Sequence, residues 1–288
     1  MTINNALLAA AAAATANNPD MNQASKGGGG EYVPPAAGVA RLRFIGYVES
    51  GLHEDEFDGK PKDTYEVQLT FELSGPNHQP KVLDNGEKIP HRMTIYVAAA
   101  KGGYGAPLNE KAALYKLFKR MNWEGKAKHM VELLGQSFLG TVVHKAGKDG
   151  KVRAYLKDDS GYTIQPPKYN DPLTGQTVTI EADPPISALR VFVWNAEGAA
   201  LKAMWDSLFI DGSYEAEGDK PARSKNVYQE KIKSAKNFVG SPIHTLLQTG
   251  GVEMKLGNDP LAAAPSQQAT DSAVNAPTAS ADPLAGIA

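Results

Sequence analysis

A mainly β domain with one helix between its third and fourth strands is predicted by three observations. Apolar and polar residues alternate with period 2 in three separate runs. After the glycines at positions 102, 103 and 105 the period becomes that of a helix. Two further alternating runs then flank Lys148-Asp149-Gly150, and Asp-Gly between such runs is a strong hairpin signal.

The first run, 39–48, points Leu42, Phe44 and Val48 one way and Arg41, Arg43 and Tyr47 the other. The second, 64–73, is the clearest: Tyr65, Val67, Leu69, Phe71 and Leu73 share one side, Thr64, Glu66, Gln68, Thr70 and Glu72 the other. In the third, 92–97, Met93, Ile95 and Val97 face a core and Arg92, Thr94 and Tyr96 face outward. Leu114, Leu117, Phe118 and Met121 recur at i, i+3, i+4 and i+7, which predicts a helix over 109–122 with Lys111, Lys116, Lys119 and Arg120 on its other face. A shorter helical segment, 127–134, stops at Gly135. Strands are expected again at 138–144 and 151–156, the latter alternating Arg153 and Tyr155 with Val152, Ala154 and Leu156. This β-β-β-α-β-β order is that of a five-stranded OB-fold barrel.

The expected domain, 31–170, is preceded by an Ala- and Gly-rich disordered arm, 1–30. It is followed by a C-terminal α/β extension, 171–257, packed on the barrel. In this extension 171–182 reads as a hairpin or long loop and 188–194 as a strand. Residues 197–209 and 224–238 read as helices, the second with a Val227, Ile232 and Ala235 stripe. Ser241-Pro242 opens a last short helix. The tail, 258–288, is too rich in Ala, Pro, Ser and Thr to order itself, and Asp-Pro-Leu-Ala recurs in it at 259–262 and 282–285.

The chain has 288 residues, 42% of them hydrophobic, and no apolar run long enough for a membrane span, so a soluble protein is expected. The Ala-rich opening lacks the positive start of a signal peptide. Absence of cysteine excludes disulfides, thiol catalysis and zinc ribbons and fits a reducing cytoplasm. The net charge of −2 hides a strong asymmetry: residues 101–157 carry twelve Lys or Arg against four acids, a local balance of +8. A positive field of that kind suits a polyanion.

Single-strand binding needs a positive groove to follow the phosphates and aromatic rings on which unpaired bases stack. Arg41, Arg43, Tyr47, Arg92, Tyr96, Arg153 and Tyr155 offer that pairing on three strands. Lys119, Arg120 and Trp123 at the end of the basic helix, and Lys151 in the hairpin, extend it. Arg and Tyr are also ordinary residues on a solvated sheet face. The acids in 49–58 (Glu49, Glu54, Asp55, Glu56, Asp58), with His53, read as a solvated loop rather than a metal site, since metal ligands normally converge from several elements. Gly102-Gly103-Tyr104-Gly105 lacks the Gly-Lys-Ser/Thr ending of a phosphate loop and reads as a mobile connection. Trp194 and Trp205, in apolar contexts, read as core. No catalytic set, metal or cofactor is expected.

The stretches Val39-Ala-Arg-Leu-Arg-Phe-Ile-Gly-Tyr-Val48, Val67-Gln-Leu-Thr-Phe-Glu-Leu73, Leu133-Leu-Gly-Gln-Ser-Phe-Leu-Gly140, Ser224-Lys-Asn-Val-Tyr228 and Ala235-Lys-Asn-Phe238 resemble bacteriophage single-stranded DNA-binding proteins of the OB-fold type, over roughly 38–250. The resemblance implies a non-enzymatic protein that coats single-stranded DNA in phage DNA replication, recombination and repair in the host cytoplasm. It also implies phage or host replication proteins as partners and is compatible with a homo-oligomer. The dense acidic tail common in such proteins is missing here. The alternative reading is a virion- or assembly-associated module that binds another protein through the same barrel.

Overall fold

The computed structural model describes residues 33–57, 59–170, 173, 175–216 and 221–249. The arm expected over 1–30, the tail over 258–288 with its repeated phrase, and Asp58 lie outside the described residues.

Strand β1 (Gly38–Phe57) is twice as long as its alternation suggests, because β2 (Lys60–Ser74) pairs with it antiparallel from Arg41↔Ser74 to Phe57↔Lys60. The acidic stretch with Glu54, Asp55 and Glu56 is therefore strand and not loop. Glu54 sits opposite Asp63, and Lys236 Nζ lies 3.2 Å from one and 2.5 Å from the other, offsetting the repulsion of the pair. Two bulges, at Ile45 and Ser50, interrupt the register. Leu42 and Phe44 point into the core before the first bulge and Tyr47 after it, so the extra residue reverses the phase of the strand.

After the small hairpin of β3 (Lys81–Val82) and β4 (Lys88–Ile89), β5 (Arg92–Ala98) pairs with β2. Its alternation is the one expected, with Met93, Ile95 and Val97 inside and Arg92 and Tyr96 outside. Helix α1 (Ala113–Met121) begins later than its periodicity. Asn109 first forms a turn, its Oδ1 accepting from Lys111 N–H and its carbonyl from Ala112 N–H. The segment expected as helix over 127–134 is a 3₁₀ turn, Met130–Leu133. It is closed by a capping box: Glu132 accepts from His129 N–H and His129 Nδ1 from Val131 N–H. Strands β6 (Ser137–Ala146) and β7 (Val152–Tyr155) form the expected hairpin, with Gly150 at φ 73° in its turn.

The main sheet runs β5-β2-β1-β6-β7. The expected barrel is not closed: among the described residues no ladder joins β5 to β7. Strand β7 ends after four residues, and the chain turns through the buried Leu156 into the tight hairpin of β8 (Lys157–Asp158) and β9 (Gly161–Tyr162). The fold is mainly β with four α-helices among the described residues. No helix among them is long and apolar enough to cross a membrane.

Beyond the hairpin of β10 (Lys168–Asn170) and β11 (Thr177–Thr179), β12 (Arg190–Phe192) pairs parallel with β1 at Gly46–Val48. Helix α2 (Gly198–Ser207), the hairpin of β13 (Ser213–Tyr214) and β14 (Arg223–Ser224), α3 (Val227–Lys233) and α4 (Pro242–Gln248) follow. Ser241 caps α4 by accepting from His244 N–H, with Pro242 at the first helical position. Of the expected stripe on 224–238, Ile232 and Ala235 are buried and Val227 is exposed.

The sheet thus separates two cores. One holds Leu42, Phe44, Tyr47, Leu69, Phe71 and Phe138 against Leu114, Leu117 and Met121 of α1, with Phe44 and Phe71 stacked at 5.1 Å. The other holds Val48 and Phe192 against Trp194, Leu201, Trp205 and Ile232, which places both tryptophans in core. Burying each such side chain stabilises by about 1.5–3 kcal/mol. On the polar face of β2, Gln68, Thr70 and Glu72 are buried although polar, Glu72 beneath the 186–187 stretch of the C-terminal segment. Each is satisfied there. Gln68 donates to Ser50, Thr70 bonds Thr94, and Glu72 accepts from the N–H groups of Ile186 (2.7 Å) and Ser187 (2.8 Å).

Candidate nucleic-acid interface

Burial and pairing divide the eleven expected contact residues. Tyr47 is interior, 2% exposed, its hydroxyl donating to Glu49 Oε1 at 2.8 Å and its ring edge-on to His129. Burial, then the Glu49 charge, pushes its pKa far up. It cannot stack a base, and the bulge at Ile45 is the reason. Arg43 is also committed: Nη1 donates to the Gly135 carbonyl at 2.8 Å, Nε to Asp183 O at 3.2 Å and Nη2 to Ala182 O, with a side chain only 16% exposed. It fastens the 181–183 segment to β1. Arg41 is half-exposed and faces Asp183 at 4.0 Å. Over 38–56 the first strand therefore contributes no free aromatic, and its two arginines both face the 181–183 segment.

The β6–β7 hairpin is partly neutralised. Arg153 holds Asp149 through two hydrogen bonds of 2.8 and 2.6 Å, which lower the Asp149 pKa to about 2, and Lys145 holds Asp159 at 2.8 Å. Lys151 and Tyr155 are exposed beside them. Trp123 is half-buried under Lys168 Nζ, 4.0 Å from its ring, and lines a separate cavity of about 140 Å³ with Glu124 and Glu132.

Strand β5 presents Arg92 and Tyr96 on the face opposite the one that packs on α1, beside Glu72 and Gln68 of β2, and this face is tied to α1 only through the strand's backbone. Arg92 is exposed and Tyr96 is 60% exposed. Tyr162, which sequence reasoning did not select, joins the two: its hydroxyl donates to the Tyr96 carbonyl at 3.2 Å, and its own carbonyl accepts from Arg120 Nη1. Lys157 Nζ lies 5.7 Å from the Tyr162 ring centre. Lys111, Lys116 and Lys119 are carried on or just before the same helix, facing away from its core side. None of Arg92, Lys111, Lys116, Lys119, Arg120 and Lys157 has an ion-pair partner among the described residues. Arg190 lies over the Tyr228 ring at 5.6 Å. Burial, then Glu66 and Tyr228, raise the Tyr96 pKa, so the phenol stays neutral. The signal that could have found Lys157 and Tyr162 is the Asp158-Asp159-Ser160-Gly161 turn cluster that separates them.

The glycine-rich connection before α1 is anchored rather than loose. The Tyr104 hydroxyl donates to Glu66 O at 2.5 Å and accepts from Gly51 N–H at 2.8 Å, while its ring packs on Tyr65 and Trp194. Among the described residues no three His, Asp or Glu converge to hold a metal ion. Comparison with protein-family models, with curated proteins and with solved structures returned no match.

Proposed function

We propose that this chain is a non-enzymatic, sequence-independent single-stranded DNA-binding protein that coats and protects DNA during phage replication or recombination. The observation that carries the reading is the cationic face of α1, where Lys116, Lys119 and Arg120 have no ion-pair partner among the described residues and Arg120 is tied through Tyr162 to β5, the strand that exposes Arg92 and Tyr96. Cations without carboxylate partners are free to neutralise backbone phosphates. A ring as exposed as Tyr96 can stack an unpaired base, a contact worth roughly 1–3 kcal/mol. The strand order β5-β2-β1-β6-β7, with α1 between the third and fourth of the five main strands, supports reading the domain as an OB-fold opened between its end strands.

The test is fluorescence-anisotropy titration of labelled oligo-dT across a salt series, with duplex of equal length as competitor. The expected result is tight binding that weakens linearly in log-log form as salt rises and that duplex does not displace. No binding at low salt removes the reading.

A further inference from the structure

The geometry points to a phosphate-binding pocket between α1 and the β8–β9 hairpin, resting, for its natural occupant, on the single-strand reading above. A cavity of about 240 Å³ lies there, lined by Lys111, Lys116 and Arg120 of the α1 segment and by Lys157, Ser160 and Tyr162 of the hairpin. Four cations line it, and no carboxylate of the described residues does. The acid next in the chain to Lys157, Asp158, is engaged within its own turn, where its Oδ1 accepts from the Ser160 N–H at 2.8 Å and hydroxyl at 2.6 Å. Arg120 is positioned by its bond to the Tyr162 carbonyl, and Tyr162 by its bond to β5. Two elements thus hold the walls while Lys111, Lys116 and Lys157 have no ion-pair partner among the described residues.

Such a set suits a tetrahedral dianion or a phosphodiester, which several cations can share at once. The apolar floor, Ala113 and Leu117, and the Tyr162 wall leave room for the sugar or base attached to it. In the bound strand the pocket seats one backbone phosphate while the adjoining sugar or base lies toward the Tyr162 ring. Because one phosphate is shared, losing the pocket costs one counterion-release equivalent however many lysines are removed.

The test uses the full chain, its K116Q/K157Q variant, and K202Q/K81Q as a charge-matched control outside the pocket. The first arm is oligo-dT binding over a salt series. Pocket loss is expected to weaken binding about tenfold. It should also make the salt slope shallower by about 0.7, the single-strand value for one phosphate. The control should match wild type. The second arm follows the Ser160 and Gly161 backbone amides by NMR during titration with inorganic phosphate. Shifts are expected in wild type and should be absent in K116Q/K157Q.

If wild type binds oligo-dT but the pocket variant behaves as the control and phosphate moves neither amide, the pocket is overturned and the single-strand reading stands. Phosphate shifts without oligo-dT binding support the pocket, overturn its strand occupant and assign it to a free phosphate compound.

Discussion

Replacing Arg43 by alanine separates a structural clamp from the DNA contact that strand alternation alone suggests. The guanidinium donates to three backbone carbonyls, those of Gly135, Ala182 and Asp183, from a side chain that is mostly buried. Hydrogen bonds to a charged group contribute about 1.5–3 kcal/mol each and are not additive. Water will reach part of the vacated site, so a net loss of about 3 kcal/mol is expected. For a domain of this size that lowers Tm by roughly 6–12 °C. Thermal unfolding followed by circular dichroism measures it, and anisotropy with oligo-dT at a temperature where the variant is folded measures binding. The expected outcome is a large Tm loss with affinity within about twofold of wild type. Unchanged Tm with strongly weakened binding would place the Arg43 guanidinium on DNA and refute the clamp.

Tyr96→Ala should do the opposite: Tm close to wild type, because the ring is largely exposed, with affinity lower by roughly 5- to 150-fold, the range of one lost stack. Equal affinity would remove Tyr96 from the interface. Gly51→Ala should be destabilised by about 3 kcal/mol in urea melts. Its φ is 99°, and the new Cβ would overlap Ala235 Cβ and lie 2.7 Å from the Trp194 ring; a neutral result would contradict this path of β1. Glu49 is buried, which raises its pKa despite hydrogen bonds from Trp194 N–H (2.6 Å) and Tyr47 O–H. A carboxyl whose folded pKa lies above its unfolded one stabilises fully below the unfolded value and loses that contribution as pH rises through the folded value. Glu49→Gln keeps an acceptor for Trp194 N–H. In urea melts it should therefore gain stability relative to wild type as pH rises above about 4, the ordinary carboxylate value, and level off once pH has passed the raised folded value. A pH-independent difference would be contrary to this.

The sequence was most legible where one face of a strand meets core and the other meets solvent. The pattern in β5 and the Asp-Gly turn before β7 have that character, and both survive unchanged. In β2 the apolar face was equally clear, but Gln68, Thr70 and Glu72 look the same whether they meet water or a covering segment. For Glu72 the covering partners, Ile186 and Ser187, are far away in the chain, and nothing local announces them. Tyr47 was misplaced by a bulge, since one extra residue at Ile45 shifts the side chains from Gly46 to Glu49 to the other face, up to the second bulge at Ser50, without leaving a mark in composition. Of the site, Arg92, Tyr96, Lys119 and Arg120 were readable from alternation and helical period. Tyr162 and Lys157 sit on two-residue strands, too short to show a period, so only the three-dimensional turn brings them to α1.

The most direct measurement is photocrosslinking of the full chain to oligonucleotides carrying single 5-iodo-deoxyuridines, with the adducts mapped by mass spectrometry. If α1 and the edge strand β5 carry the strand, adducts will concentrate on Tyr96 and Tyr162 and disappear at high salt. Adducts confined to Trp123 or Tyr214, or none at all under conditions where the strand is bound, would contradict it.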